Sequence, residues 1–449
     1  MSTIAVPRHA QVSTKPLTLS RAGYIFLSVF LIIVLEGAVR KWVSSATSLP
    51  LILLRDLLAL SLVLYAWKGG HFRRQKKIAV AMLAWSCLVL GWGLLQLVGG
   101  ESSPLVLMIG LRFWLLYIWF AVAASAAMNE ADYRAAILLA GCLMIALAPL
   151  AVLQHYSPPG ARINTQVDGD EEGVFVAIAG VVRTTGTFSF TSGYATYLAM
   201  VAPLVFGILG ARKRTSRQQL FALTVFAAFV IGALVSGSRS ATITSGMMFV
   251  VYLVGRLVFS KVRNKPAALA AAIIALVFAG IFAYVFQEAI GVTQTRFEQA
   301  SAAEDFWERV FYVLFGEPWA YEAATWLGSG VGFGSNLASY VRTGSAELFA
   351  LAETEGGRIL LEGGLLGIAF TALKVVVLGL GTFKSLRIAK KTNSPYPILV
   401  WLTTCFAVIA WSAVGQLTSN ALLGIIFAFA LLLFRYPRLE IFPPRASRP

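Results

Sequence analysis

Charge is scarce in this chain. Asp, Glu, Lys and Arg make up 13% of its 449 residues, against about 25% in an ordinary soluble domain. So little charge excludes a surface that meets water over most of its area. Lipid must cover the exterior, and in lipid every backbone polar group needs an internal partner, which leaves helices or closed barrels. Alternation of apolar and polar residues is missing as well, and its absence excludes the barrel. Histidine is limited to His9, His71 and His155, too few and too scattered for a histidine-built metal centre. Cysteine is limited to Cys87, Cys142 and Cys405. All three lie in apolar runs and read as small core hydrophobes, not as a disulfide framework or a metal site. The first twenty residues are polar and hold no cleavable apolar stretch, so the expectation is no signal peptide and a first helix that targets the chain to the membrane. No cofactor is expected.

What is present is apolar sequence in long runs: 58% of the residues are hydrophobic and the mean hydropathy is +0.76. Runs of about 18–25 apolar residues match the thickness of a bilayer crossed as a helix. They predict spans at 22–39, 49–67, 78–98, 104–127, 135–153, 192–211, 219–236, 241–259, 267–290, 359–382, 397–416 and 419–434. The predicted fold class is all-α: a polytopic integral membrane protein of about twelve transmembrane helices, forming one membrane domain over 1–449. The last two spans are separated only by Leu417 and Thr418, which predicts a tight helical hairpin or re-entrant pair.

The net charge is +16. In a soluble protein that would suggest nucleic acid, but here the cations sit in short loops between apolar runs and the reading is topological. With the N-terminus inside, 24 of the 37 Lys and Arg fall in inner segments, nine in outer segments and four (Arg55, Arg112, Arg256 and Lys374) within spans. Both termini are therefore expected in the cytoplasm, in a multi-pass plasma-membrane protein. Two outer loops are long, about 154–191 and about 291–358, and such loops are usually functional or disordered. The second contains Trp307, Phe311, Tyr312, Trp319, Tyr321 and Trp326, a density that predicts helices on the membrane face or packed over a cavity.

Outer-face arginines break the positive-inside pattern and need a reason. Arg183 stands in Arg183-Thr184-Thr185-Gly186-Thr187-Phe188, before the sixth span. Arg239 stands in Ser236-Gly237-Ser238-Arg239-Ser240-Ala241, between the seventh and eighth. A guanidinium stays charged and its planar fork suits phosphate or carboxylate. One such residue reads most simply as an anchor to lipid headgroups. Two of them, in small-residue turns on the same side, point to an anion.

A second constellation is acidic and closes the large loop: Glu347, Glu353, Glu355, Arg358 and Glu362. Glu355, Arg358 and Glu362 have i, i+3, i+7 spacing and would share a helix face at the outer end of the tenth span. Carboxylates at such depth are costly and mark function by default, with a structural ion pair to Arg358 as the plain alternative. Glu36 and Arg40 are expected to pair at i, i+4. Arg55-Asp56 and Arg112 are further intramembrane charges, read as buried pairs or as an ion path. Gly328-Ser329-Gly330-Val331-Gly332-Phe333-Gly334 follows no strand, so a phosphate-cradling nucleotide loop is rejected.

Taken together, the motifs around Arg183 and Arg239, the Gly328–Gly332 run, Glu362-Gly363-Gly364-Leu365-Leu366-Gly367 and the late large outer loop resemble the O-antigen ligase and O-antigen polymerase superfamily of bacterial membrane glycosyltransferases. The resemblance covers most of the chain. It implies a GT-C-like helical bundle and a metal-independent transfer at the outer face of the bacterial plasma (inner) membrane. The donor would be an undecaprenyl-diphosphate-linked glycan and the acceptor a glycan or lipid-linked glycan, with a chain-length regulator or flippase as protein partners. It implies that Arg183 and Arg239 contact the donor diphosphate. Family ligases carry a histidine about ten residues before the Gly-x-x-Gly that opens the tenth span, a place suited to a general base. This chain has Glu353-Thr354 there. The departure favours a polymerase-like or divergent member, with Glu353, Glu355 or Glu362 as catalytic residue and Arg358, Arg309 and Arg112 in support. A lipid-linked oligosaccharide flippase and a non-catalytic envelope scaffold are the alternatives.

Overall fold

The protein is seen in a computed structural model that describes residues 18–165, 182–213, 215–259, 265–288, 290–291, 294, 306–344 and 351–443. Helices α1 (Arg21–Trp42), α2 (Ser48–Lys68) and α3 (Lys76–Val98) are followed by α4 (Pro104–Leu111) and α5 (Tyr117–Ala127), which a π turn at Arg112–Leu116 joins into one rod. Then come α6 (Glu130–Tyr156), α7 (Thr191–Gly210), α8 (Ser216–Val235), α9 (Arg239–Phe259) and α10 (Lys265–Val285). The large loop carries four short helices, α11 (Phe306–Phe315), α12 (Pro318–Ala323), α13 (Asn336–Thr343) and α14 (Glu355–Gly363). The chain ends with α15 (Leu365–Thr392), α16 (Tyr396–Ala410) and α17 (Leu417–Arg435).

Among the described residues ten helical rods are long and apolar enough to cross a membrane, and two shorter apolar helices, Ala272–Val285 and Tyr396–Ala410, stand where the ninth and eleventh spans were expected. The described residues form no strand. The chain is an all-α polytopic membrane protein. Its core runs through α5, α7 and α17, where Phe26 stacks on Phe120 at 5.4 Å and Phe206 on Tyr252 at 5.1 Å. Side chains facing away from the core are apolar too, as at Leu83, Leu94, Val376 and Leu380, which is the surface lipid requires.

The loops rich in Lys and Arg gather at one end, here the basic end. Asp132 organises it: the capping box of Asn129 and Asp132 starts α6, and the same carboxylate accepts from the N–H and hydroxyl of Ser20, the cap of α1, at 2.8 and 2.6 Å. One side chain thereby satisfies the first turns of two helices. Arg183 and Arg239 lie at the far end.

Four expectations need correction. The tenth span is not continuous from 359: the chain reverses at Gly364 (φ 55°, ψ −121°). A Cβ there would sit 2.3 Å from the Trp326 carbonyl oxygen, so only glycine fits. As a result α14, about 13 Å long at 1.5 Å per residue, folds back on α15. Gly367 meets the Ile359 carbonyl, while Glu355 at the start of α14 lines the same cavity as Lys374. The last two spans are not a two-residue hairpin either, because α16 stops at Ala410 and residues 411–416 leave the helix. Glu36 pairs with Arg55 at 2.5 Å on the next helix, and Arg40 Nε donates to Ser48 Oγ at 2.7 Å. Of the cysteines, all free, Cys87 and Cys142 are exposed and so lie outside the core.

Candidate functional site

At the far end an irregular segment is buried in the bundle. Residues 184–189 have no helical structure, yet they are all buried. Backbone of this kind is tolerated at membrane depth only where protein satisfies it, and two polar side chains do so. Gln154 Oε1 accepts from the N–H groups of Thr185 and Gly186 at 3.2 and 2.7 Å, and its amide donates to the Gly186 carbonyl at 3.2 Å. Lys41 Nζ donates to Thr185 Oγ1 and the Gly186 carbonyl, both at 2.8 Å. The Thr187 hydroxyl donates to the Val34 carbonyl. Gly37 makes room: a Cβ on it would lie 2.4 Å from the Thr187 carbonyl oxygen.

This scaffold fixes Arg183. The side chain is half-buried, and its buried Nε has no hydrogen-bond partner among the described residues. Burial first, and then the charge of Arg239, push its pKa below the usual arginine value. The two guanidinium groups therefore feel one another, although 56 residues separate them in sequence. Arg239 opens α9 just after Gly237 (φ 61°), in a turn tied by the Ser238 N–H to Ser236 Oγ at 3.2 Å. Its position adds the positive end of a helix dipole to the two cations. Like charges brought together in this way destabilise the fold unless an anion joins them.

A second group is built by α14. Thr354 caps the helix and in turn gives its N–H and hydroxyl to the Glu317 carboxylate at 3.0 and 2.7 Å. Glu355 is 4% exposed. Its Oε1 accepts from the Val414 N–H at 2.8 Å, in the non-helical segment after α16, while Oε2 is buried with no hydrogen-bond partner among the described residues. Arg358 donates through Nε to the Ala352 carbonyl at 2.8 Å and through a terminal nitrogen to Ser412 Oγ. Glu353, by contrast, is exposed and acts on Arg358 through its charge.

Glu362 is occupied differently. Oε2 accepts from Trp114 Nε1 and the Gly332 N–H, and Oε1 from the Gly334 N–H, each at 2.9 Å. The glycine-rich loop thus cradles a carboxylate of its own chain. Gly332 (φ 91°) approaches Gly110 so closely that a Cβ would be 2.4 Å from its Cα. What these bonds do is fasten the loop to α14 and, through Trp114, to the π turn.

Glu355 borders a cavity of about 590 Å3 between α3, α5, α15 and α17. The walls are apolar, with Trp85, Phe113, Trp114, Phe370 and Phe427, and the polar groups are Glu355, Lys374, Tyr117 and Asn420. Lys374, an intramembrane charge without a role in the sequence reading, is 8% exposed and lies over Phe370 at 5.0 Å.

Arg112 stands in the π turn, a feature frequent at functional sites. Here it is engaged: Nε and a terminal nitrogen hold Asp56 at 2.8 and 3.1 Å, and Tyr117 donates to the same carboxylate at 2.8 Å. Asp56 also faces Arg55 at 3.5 Å, and Arg55 holds Glu36. Two cations and two anions from three rods balance one another. The structure therefore brings Arg183 to Arg239 and groups Glu353, Glu355, Arg358 and Glu362, but places Arg112 in a separate ion network. Glu347 and the side chain of Arg309 lie outside the described residues. Lys41, Gln154, Glu317, Ser412 and Lys374 escaped the sequence reading. The available signal was weak: Lys41 is a cation against the positive-inside trend, and Lys374 a charge within an apolar run.

No protein-family model matches the chain, and no curated protein matches it. The functional reading therefore rests on residues and distances.

Proposed function

We propose that the chain is a membrane glycosyltransferase of surface-polysaccharide assembly, similar to O-antigen polymerases and ligases, which takes glycan from an undecaprenyl-diphosphate-linked donor at the outer face of the plasma membrane. The carrying observation is the half-buried Arg183 guanidinium within electrostatic reach of Arg239, beside the N-terminus of α9. The crowding of Lys and Arg into the basic end supports an orientation with that end, and both termini, in the cytoplasm.

In the proposed reaction an acceptor hydroxyl attacks the anomeric carbon of the donor sugar. The new C–O bond forms as the bond to the diphosphate breaks, and the leaving group departs with that electron pair. Arg183 and Arg239 stabilise the charge it gathers, a task for which preorganised donors are worth about 10²–10³-fold each. The hydroxyl proton passes to Glu355 Oε2, the carboxylate oxygen not committed to the fold. Glu353, exposed beside Arg358, is the other glutamate available to the acceptor. Glu362 serves the loop instead.

A transporter of lipid-linked oligosaccharide is the second reading, and the cavity of about 590 Å3 with charges inside the bundle favours it. Purified protein supplied with a polyprenyl-diphosphate-linked glycan separates the two by whether a glycosidic bond forms. In cells, Arg239→Ala at unchanged protein level is expected to abolish the surface polysaccharide. Normal polysaccharide from that variant would overturn the enzymatic reading.

A further inference from the structure

A second cationic site lies at the basic end, away from all the groups above. A cavity of about 350 Å3 opens between α8, α9 and α10. Its polar rim holds Lys213, just past α7, and Arg256, in the last turn of α9. Arg256 Nε is buried and has no hydrogen-bond partner among the described residues. Lys213 Nζ donates to the carbonyl of Leu209, which also lines the cavity. Its walls are apolar: Leu223 and Phe226 on α8, Ile274 and Phe278 on α10. Leu223, Ile274 and Phe278 are exposed along the bundle's lipid-facing side, and no described residue lining this cavity is a carboxylate. An adjoining cavity of about 220 Å3 shares Tyr252 and Arg256 and adds Arg212 and Glu440.

We infer that this cavity binds one anionic phospholipid, with its phosphate between Lys213 and Arg256 and an acyl chain in the slot between α8 and α10. The site has two chemistries in the right order along the membrane normal. Cations lie at the level where headgroups begin, and an apolar slot runs inward from them. Basic pockets between membrane helices favour anionic headgroups for this reason. Two half-buried cations on one rim repel one another: burial and the Arg256 guanidinium push Lys213 down to about 8. A phosphate between them removes that repulsion. A neutral lipid would fill the slot but leave the cations as they are.

The test uses the full chain purified in detergent and native mass spectrometry with phosphatidylglycerol, phosphatidylcholine or inorganic phosphate. One phosphatidylglycerol is expected to stay bound per chain, with phosphatidylcholine lost and phosphate unable to displace the lipid. The Lys213→Gln/Arg256→Gln double variant should bind about 30-fold more weakly, from roughly a factor of five for each cation. Ile274→Trp, which narrows the slot at an exposed position and keeps both cations, should also release the lipid, so the outcome does not depend on whether the double variant folds. Equal retention of the two lipids, or unchanged binding by both variants, would overturn the inference. Displacement by inorganic phosphate would also overturn it, by reducing the site to one for a free anion.

Discussion

Arginines enter this bundle in two ways. Arg55 and Arg112 lie deep between helices, and each holds a carboxylate: Glu36 at 2.5 Å and Asp56 at 2.8 Å. Arg183 lies nearer the far end, half-buried, and the charge acting on it belongs to another arginine. The first pair is what a low-dielectric interior demands, since a buried charge without a partner is expelled or neutralised. Arg183 departs from that demand: its buried Nε has no hydrogen-bond partner among the described residues, on a scaffold that Lys41 and Gln154 hold in place. Charge compensated within the chain belongs to the fold. A buried guanidinium nitrogen that is held in place and left without a hydrogen-bond partner, as in Arg183, points to a ligand.

The largest effect is expected on the compensated side. Asp56→Ala leaves Arg112 without its carboxylate and should cost about 3–5 kcal/mol, read as a lower melting temperature and lower protein level. An unchanged melt would break the comparison at once. At the far end, Arg183→Ala and Arg239→Ala should each slow glycan transfer by about 10²–10³-fold, with no loss of melting temperature. A drop in melt as large as that of Asp56→Ala would mean that these arginines, too, serve the fold.

The glutamates of α14 repeat the contrast within nine residues. Glu362 spends both oxygens on three donors, so Glu362→Gln should destabilise by about 1–3 kcal/mol and loosen the Gly328–Gly334 loop, seen as faster hydrogen exchange there. Glu355 keeps one oxygen unbonded. Glu355→Gln keeps an oxygen acceptor for the Val414 N–H and should slow transfer by about 100-fold or more. The smallest effect sharpens the argument about geometry: Arg239→Lys keeps the charge and loses the fork, for a loss of about tenfold in rate.

Much of this was legible in the sequence. Apolar run lengths follow from bilayer thickness, so the order of the apolar helices could be read directly, although only ten of the expected twelve spans are long enough among the described residues. Arg183 and Arg239 stood out because they defy the distribution of the other cations. What escaped is where distant parts of the chain meet. Gly364 turns α14 back along α15, and nothing in Glu362-Gly363-Gly364-Leu365 says that the turn reverses direction instead of continuing. The partner of Glu36 comes from α2, although Arg40 is the local candidate by helical spacing. Lys41 and Gln154 look like an interfacial cation and a helix-end amide until the segment after Arg183 is seen packed against both. Local periodicity specifies a helix face, but the neighbour of that face is a tertiary fact.

The account depends on Arg183 and Arg239 acting on one anion. A double-mutant cycle with Arg183→Ala, Arg239→Ala and the double variant tests this most directly, measured as binding of a polyprenyl diphosphate to the purified chain. Groups that grip one ligand are expected to couple by about 1 kcal/mol or more, with the double variant losing less than the sum of the single losses. Losses that add within about 0.3–0.5 kcal/mol, as for independent sites, or binding unaffected by either change, would contradict it.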